Sequence, residues 1–304
     1  MRPPERSTWS STCASASANG RIAWRSSARR SFRSCTVATV EANREPVRDA
    51  RPGVLTGHLA LVTGAAGGIG QALAEAYANA GANLILLGRD LTKLRAMARR
   101  PVFAKRRVTT VALDVSAVHS VEVLRSALRS ADDRYPDILI NNAGIGQGAG
   151  PRPVRSVLDV TPEFWDRMFD TDVRGPLLLM QALIPEMVRA GTGSILNITS
   201  RLAYRSVPGT APYGPAKAAM DQLTRVVAKE LEHTGVRANL LHPGGPIRTG
   251  IFSEAWPVPA GSVVADPAIM GPPAVWLATP AAAGVSGKTI DARTWQHFAD
   301  GRRP

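Results

Sequence analysis

At 304 residues, with 44% hydrophobic and 20% charged residues, the chain has globular composition and enough length to bury a full core. Its longest apolar stretch, around residues 177–184, falls far short of the roughly 20 residues a membrane helix needs, and its two cysteines, Cys13 and Cys35, offer a core neither a disulfide framework nor a cysteine-rich zinc site. The net charge of +13 is no basic patch: residues 1–52 carry +6 of it, and the rest is dispersed apart from "KRR" at 105–107, so no nucleic-acid or membrane partner is expected.

Residues 1–52 are rich in Ser, Arg and Ala and show no sustained apolar period. Such a stretch buries too little surface to offset its ordering entropy, so a disordered extension is expected there, ahead of one domain over 53–304. Translation starting further downstream would account for it equally. An organelle transit peptide is the alternative to a cytoplasmic protein, because the segment is acid-poor but lacks a continuous apolar h-region.

From Leu59 onward, short apolar runs alternate with helical patterns. "LALVTG" (59–64) reads as a buried strand, and "GIGQALAEAYANAG" (68–81) as a helix ended by Gly81. "NLILLG" (83–88) is a second strand, followed by a basic amphipathic helix from Asp90. "RVTTVALDV" (107–115) is a third strand; Val118, Val121, Leu124 and Leu128 then recur at helical spacing. "DILINNAG" (137–144), "GSILNITS" (193–200), "VRANLLHPG" (236–244) and "KTIDA" (288–292) complete the strands, with long helices between them. Strands apolar on both faces and separated by helices predict an α/β fold, a doubly wound parallel sheet of Rossmann-like form.

The first strand runs directly into "TGAAGGIG" (63–70). Gly64, Gly68 and Gly70 permit a sharp turn and let a phosphate approach the helix start, where free N–H groups and the helix dipole favour an anion. The spacing is G-x-x-x-G-x-G rather than the commoner G-x-G-x-x-G, and a tight strand–helix connection could use the same residues. Further on, Tyr213 and Lys217 stand four apart, on one face if helical. A phenol titrates near pH 10, and a nearby lysine cation favours its phenolate, so Tyr213 could exchange a proton with an alcohol or ketone. Pro215 is compatible with a helix whose first turn it occupies.

"TGAAGGIG", "NNAG" (141–144), "YGPAK" (213–217) and "HPGG" (242–245), with Ser200 thirteen residues before Tyr213, resemble the classical short-chain dehydrogenase/reductase family. The motifs stand in the family's order over about Leu55 to Trp295. The resemblance implies an oxidoreductase that interconverts a secondary alcohol and a ketone by hydride transfer. Tyr213 would be the general acid/base, Lys217 would lower its pKa and hold the cofactor ribose, and Ser200 would position the substrate oxygen. Cofactor contacts are implied at Gly64, Gly67, Gly68, Ile69 and Gly70; at Asp114 and Val115; at Asn141, Ala143 and Gly144; and at Pro243, Gly244 and Thr249. Asp114 reads equally as a turn or cap residue. The spacing from Pro243 to Thr249 is one residue longer than the family's commonest form.

NADP is expected over NAD. The second strand ends in Gly88 where NAD-preferring relatives carry Asp, and Arg89 suits a 2′-phosphate, while Asp90 fits the next helix's N-cap. One departure stands out: Asp172 occupies the position of a family Asn that holds a helix kink and a water serving the lysine. Asp accepts hydrogen bonds but cannot donate when ionised, and its charge would stabilise the Lys217 ammonium. A tuned enzyme and a nucleotide-binding regulator with impaired turnover both remain open. The substrate would be a small alcohol or ketone, bounded by residues 244–270, with Ile251, Phe252, Trp256 and Tyr204 as pocket candidates. No anionic-substrate clamp is evident; Arg201, Arg205 and Arg248 are its candidates. His58, His119, His233, His242 and His297 show no metal-ligand spacing and read as structural or surface residues. The resemblance also implies a homodimer or homotetramer through the two long helices, and "DQLTRVVAKEL" (221–231) has a suitable apolar stripe.

Overall fold

The computed structural model describes residues 41–42, 53–130, 135–150, 154, 156–249 and 263–299. Its strands are β1 (Glu41–Ala42), β2 (Leu59–Thr63), β3 (Asn83–Gly88), β4 (Val108–Ala112), β5 (Ile138–Asn141), β6 (Gly193–Ile198), β7 (Val236–His242) and β8 (Thr289–Asp291). They form one sheet in the order β1-β4-β3-β2-β5-β6-β7-β8. Strands β2 to β8 pair in parallel, whereas β1 runs antiparallel to β4 at the edge.

The strands from the second onward coincide with the apolar runs of the sequence. β1 falls within residues 1–52 and pairs with β4 of the sheet. Apart from β1, the extension lies outside the described residues.

The helices are α1 (Gly68–Asn79), α2 (Leu91–Ala98), α3 (Ser120–Ser130), α4 (Pro162–Phe169), α5 (Gly175–Ala190), α6 (Tyr213–Glu230), α7 (Gly271–Ala278) and α8 (Gln296–Ala299). Alternation along each strand divides the core in two. Ala60, Val62, Leu84 and Leu86 pack with Leu73 and Tyr77 of α1 and Leu277 of α7. Leu59, Leu61, Ile85 and Leu87 pack with Leu124 of α3, Leu183 of α5 and Val227 of α6. A strand buried on both faces needs apolar residues at both parities, which is why these runs show no polar alternation.

Local chemistry sets the helix ends. Asp90 caps α2 by accepting the Lys93 N–H at 3.0 Å. Helix α3 begins at Ser120, so Val118, expected within it, falls before its start and is 74% exposed, a position its apolar character alone did not reveal. No helix among the described residues is long and apolar enough to cross a membrane.

Strand order reverses between β2 and β5, and an open parallel sheet offers a crevice beyond the carboxyl ends of its strands at such a point. Thr63, the last residue of β2, ties the two sides together. Its hydroxyl accepts the N–H groups of Asn142 and Ala143, each at 2.9 Å.

Tyr77 is fully buried, and its hydroxyl donates to the Ala274 carbonyl of α7 at 2.8 Å. Tyr77→Phe is expected to cost about 1 kcal/mol of unfolding free energy in urea denaturation; an unchanged midpoint would show that this bond does not help hold α1 to α7.

Candidate active site

The sequence carries α1 out of β2 through a turn of small residues. Gly64 has φ +61°, and a Cβ there would lie 2.9 Å from Ala143 Cα, so both conformation and space demand glycine. Gly67 occupies the N-cap of α1 and supplies no side chain to cap it, leaving first-turn N–H groups without a side-chain acceptor. A Cβ on Gly68 would meet Thr249 Cγ2 at 2.9 Å, so the turn and the segment after β7 approach to contact. The bare helix start and this close approach fit a phosphate-bearing group better than a mere connection.

Beside this turn lies a cleft of about 420 Å³. Ile69, Gly144, Asp172, Ser200, Tyr213, Lys217, Pro243 and Thr249 all line it, from segments far apart in sequence. Ser200 follows β6 and caps a short 3-10 turn, its hydroxyl accepting the Leu202 N–H at 3.2 Å. The same hydroxyl lowers the pKa of the Tyr213 phenol, the smallest of the influences on that group. Helix α6 begins at Tyr213, so Pro215 sits in its first turn as expected. Lys217 comes one turn later, with Nζ 5.5 Å from the Tyr213 ring centroid.

Asp172 approaches from the other side. It lies in a five-residue π-helical turn, Asp170–Arg174, inserted between α4 and α5. Such a turn adds a residue to the helical register and can redirect a side chain. Asp172 Oδ2 lies 3.0 Å from Lys217 Nζ, and Oδ1 accepts the Ile145 N–H at 2.8 Å. Lys217 also donates to the Ile198 carbonyl at 3.2 Å. The paired side chains are 0% exposed for Asp172 and 8% for Lys217, so neither charge is offset by bulk water.

The electrostatics follow. Burial works against the Lys217 ammonium, yet the Asp172 carboxylate holds its pKa above the ordinary lysine value. Burial pushes Asp172 up as well, opposed by Lys217 and the Ile145 amide; the ion pair and the amide donor favour the charged pair. Tyr213 departs from expectation. Lys217 does pull its phenol down, but burial pushes it up further and Asp172 adds to that push, leaving it raised.

Other expected contacts have different surroundings. Asn141 is buried, and its amide donates to Asn197 Oδ1 at 2.8 Å within the sheet. Asp114 accepts from the N–H and hydroxyl of Ser116, the geometry of a turn residue. Val115 is buried in the core, where its side chain abuts Gly175. A Cβ on Gly144 would meet Asp172 Oδ2 at 3.0 Å, so its close neighbour is that carboxylate. Ala143 packs against the core beside Gly64, Gly70 is buried under the turn, and Gly244 accepts from Arg201 Nη1 at 2.7 Å. Arg89 is exposed at the end of β3. Tyr204 and Arg248 do not line the cleft, whereas Arg201 and Arg205 do. Ile251, Phe252 and Trp256 lie outside the described residues.

Two residues escaped the sequence reading. Asp221, buried four residues after Lys217, accepts from the Thr199 hydroxyl and adds to the upward push on Lys217; its helical spacing was the available signal. His242, read as a structural or surface residue, is structural and buried, with Nδ1 accepting the Gly244 N–H at 3.1 Å and Nε2 lying 3.3 Å from the Tyr204 hydroxyl. No local pattern signals that arrangement.

Known proteins resemble this chain in sequence and fold. The short chain dehydrogenase family model matches residues 58–257. Dehydrogenase/reductase SDR family member 4 of Bos taurus is 35% identical over 213 residues, covering 69% of this chain and 73% of its own. A crystal structure of 3-ketoacyl-(acyl-carrier-protein) reductase from Brucella melitensis, complexed with NADH, superposes with a TM-score of 0.69 at 29% identity, covering 78% of this chain and 97% of that one. A short chain dehydrogenase from Shigella flexneri, complexed with NADP, gives a TM-score of 0.71 at 28% identity, with 80% and 100% covered.

The buried pair makes a stability prediction. Asp172→Leu strands the Lys217 ammonium and is expected to cost about 3–5 kcal/mol of unfolding free energy at neutral pH, with Asp172→Asn costing less because it keeps an acceptor. Because the folded pKa of Lys217 lies above its ordinary value, its contribution is whole below that value and fades as pH rises through the folded one. Unchanged stability in both substitutions, read from denaturant titrations, would contradict the charged pair, and equal costs would show that the retained acceptor adds nothing.

Proposed function

The chain belongs to the short-chain dehydrogenase family, and from that premise we propose that it is an NADP-dependent oxidoreductase interconverting a secondary alcohol and a ketone. One observation carries the reading: Ser200, Tyr213 and Lys217, from β6's end and the first turns of α6, line one cleft beside the bare start of α1. When bound, the nicotinamide supplies or accepts the hydride.

The residues divide the remaining work. Ser200 holds the substrate oxygen by hydrogen bonding. Tyr213 gives that oxygen a proton in reduction and takes one in oxidation. Lys217 is ion-paired with Asp172 and donates to the Ile198 carbonyl, and a further N–H of its ammonium would serve a ribose hydroxyl. Gly64, Gly67, Gly68, Ile69 and Gly70 would cradle the pyrophosphate at the start of α1, with Pro243, Gly244 and Thr249 on the nicotinamide side. Asp114, Val115, Asn141, Ala143 and Gly144 would border the adenosine, and exposed Arg89 would meet a 2′-phosphate. We assign the protein to the cytoplasm, as a homodimer or homotetramer joined through α5 and α6, on which Val188 and Val226 are exposed.

The raised Tyr213 pKa sets the direction of the pH dependence. At neutral pH the phenol keeps its proton and is ready to donate, so ketone reduction should fall and alcohol oxidation rise as pH climbs through its titration. A second reading, a nucleotide-binding regulator with impaired turnover, draws on the engagement of Lys217 by Asp172.

A panel of ketones and secondary alcohols separates the two. Tyr213→Phe is expected to reduce turnover by about 100- to 10,000-fold; undiminished turnover would sink the acid/base assignment. Asp172→Asn removes one upward push on Tyr213 and should move both pH–rate limbs to lower pH. Turnover appearing only in Asp172→Asn would favour the regulator. Arg89→Asp is expected to lower the NADPH-over-NADH ratio of kcat/KM by about tenfold or more, and an unaltered ratio would remove Arg89 from cofactor selection.

A further inference from the structure

Two arginines border the proton-transfer site. Arg201 and Arg205 line the cleft on the turn that Ser200 caps, one and five residues beyond it. The other charged groups in the lining are Lys217 and Asp172, which neutralise each other. Among the described residues, the cleft therefore carries two guanidinium charges and no free carboxylate to balance them. Leu202 and Val207 form an apolar wall between and beyond the arginines.

Arg201 is held in place. Its Nη1 donates to the Gly244 carbonyl at 2.7 Å, which fixes the half-buried side chain against the segment after β7. A guanidinium has five N–H donors, so this anchor leaves others for a ligand. Its neighbour His242 adds no third charge: burial holds that imidazole below the usual histidine value, and the Arg201 cation pushes the same way against Asp291. Asp291 does not line the cleft, and its Oδ1 accepts the Arg293 N–H at 2.8 Å. Arg205 is exposed, and its side chain lines the cleft. Arg248 does not line it; its carbonyl oxygen abuts the glycine turn.

We infer that the cleft takes a substrate bearing a carboxylate, an oxo acid or hydroxy acid, whose anionic group is clamped by Arg201 and Arg205 while Ser200 and Tyr213 meet its carbonyl or hydroxyl oxygen. This rests on the oxidoreductase reading of the same site and names its substrate class. Planar guanidinium forks match a carboxylate in two-point geometry, and a desolvated site strengthens such bonds. The clamp also orients the substrate, because it fixes the end remote from the reacting carbon.

The test is a binding comparison that needs no turnover. Calorimetric titration of Tyr213→Phe protein, with and without NADPH, would compare levulinate and longer oxo acids with their methyl esters. The acids should bind about tenfold or more tightly than the esters, the gap should narrow at high ionic strength, and Arg201→Gln and Arg205→Gln should each shrink it. Arg205→Glu should reverse it; that side chain is exposed, so its replacement leaves the core untouched. Equal affinity of acid and ester, failure of every oxo acid to bind, or a preference that survives both arginine substitutions would overturn the clamp. Wild-type protein that reduces neutral ketones while failing this comparison would refute the clamp alone. Acid-selective binding without wild-type turnover would keep the clamp and refute the oxidoreductase reading.

Discussion

A lysine ammonium removed from water must be paired, and the candidate site is organised around that requirement. Lys217 is buried under the cleft, and Asp172 reaches it at 3.0 Å from a different helical element. An unpaired ammonium at such depth would shed its proton or destabilise the fold by several kcal/mol. The π-helical turn between α4 and α5 carries the carboxylate inward, and the Ile145 amide holds its second oxygen. Gly144, the residue before Ile145, is exposed and stands where a side chain would crowd that carboxylate. The pair thus joins α6, the α4–α5 junction and the end of β5 at one point.

Tyr213 feels both partners. Lys217 favours its phenolate, whereas burial and Asp172 favour the protonated phenol, and the second influence prevails. A carboxylate at this position therefore does more than hold Lys217: it adds to burial in raising the proton affinity of Tyr213 and works against the lysine's pull. The second buried carboxylate, Asp221, deepens the negative field around Lys217 from within α6. Tyr213 therefore keeps its proton at neutral pH, the form that the proposed reduction of a carbonyl would require.

Much of this was legible in the sequence, for reasons that differ by element. Strands β2 to β7 are apolar at both parities, so their burial between two helical layers follows from composition alone. The glycine turn was visible because backbone geometry there tolerates little else, and Ser200, Tyr213 and Lys217 because their spacing is fixed by one strand end and one helix. Val118 misled, since an apolar residue at helical spacing can equally stand exposed before the helix begins. The net direction of the Tyr213 shift was not legible, because burial of a phenol is a property of the packed fold. Nor was the setting of His242, whose neighbours Tyr204, Arg201 and Asp291 come from distant segments. Asp114 and Asn141 show the same limit, for their side chains bond Ser116 and Asn197, partners that only the fold identifies.

The central claim is that Asp172, acting beside Lys217, raises the proton affinity of Tyr213. The direct measurement is the titration of the Tyr213 ring by NMR of protein carrying carbon-labelled tyrosine, in wild type and Asp172→Asn. The account predicts a Tyr213 transition above the ordinary tyrosine value in the wild type and a lower one in Asp172→Asn. Coincident transitions, or a wild-type value below that of free tyrosine, would contradict it.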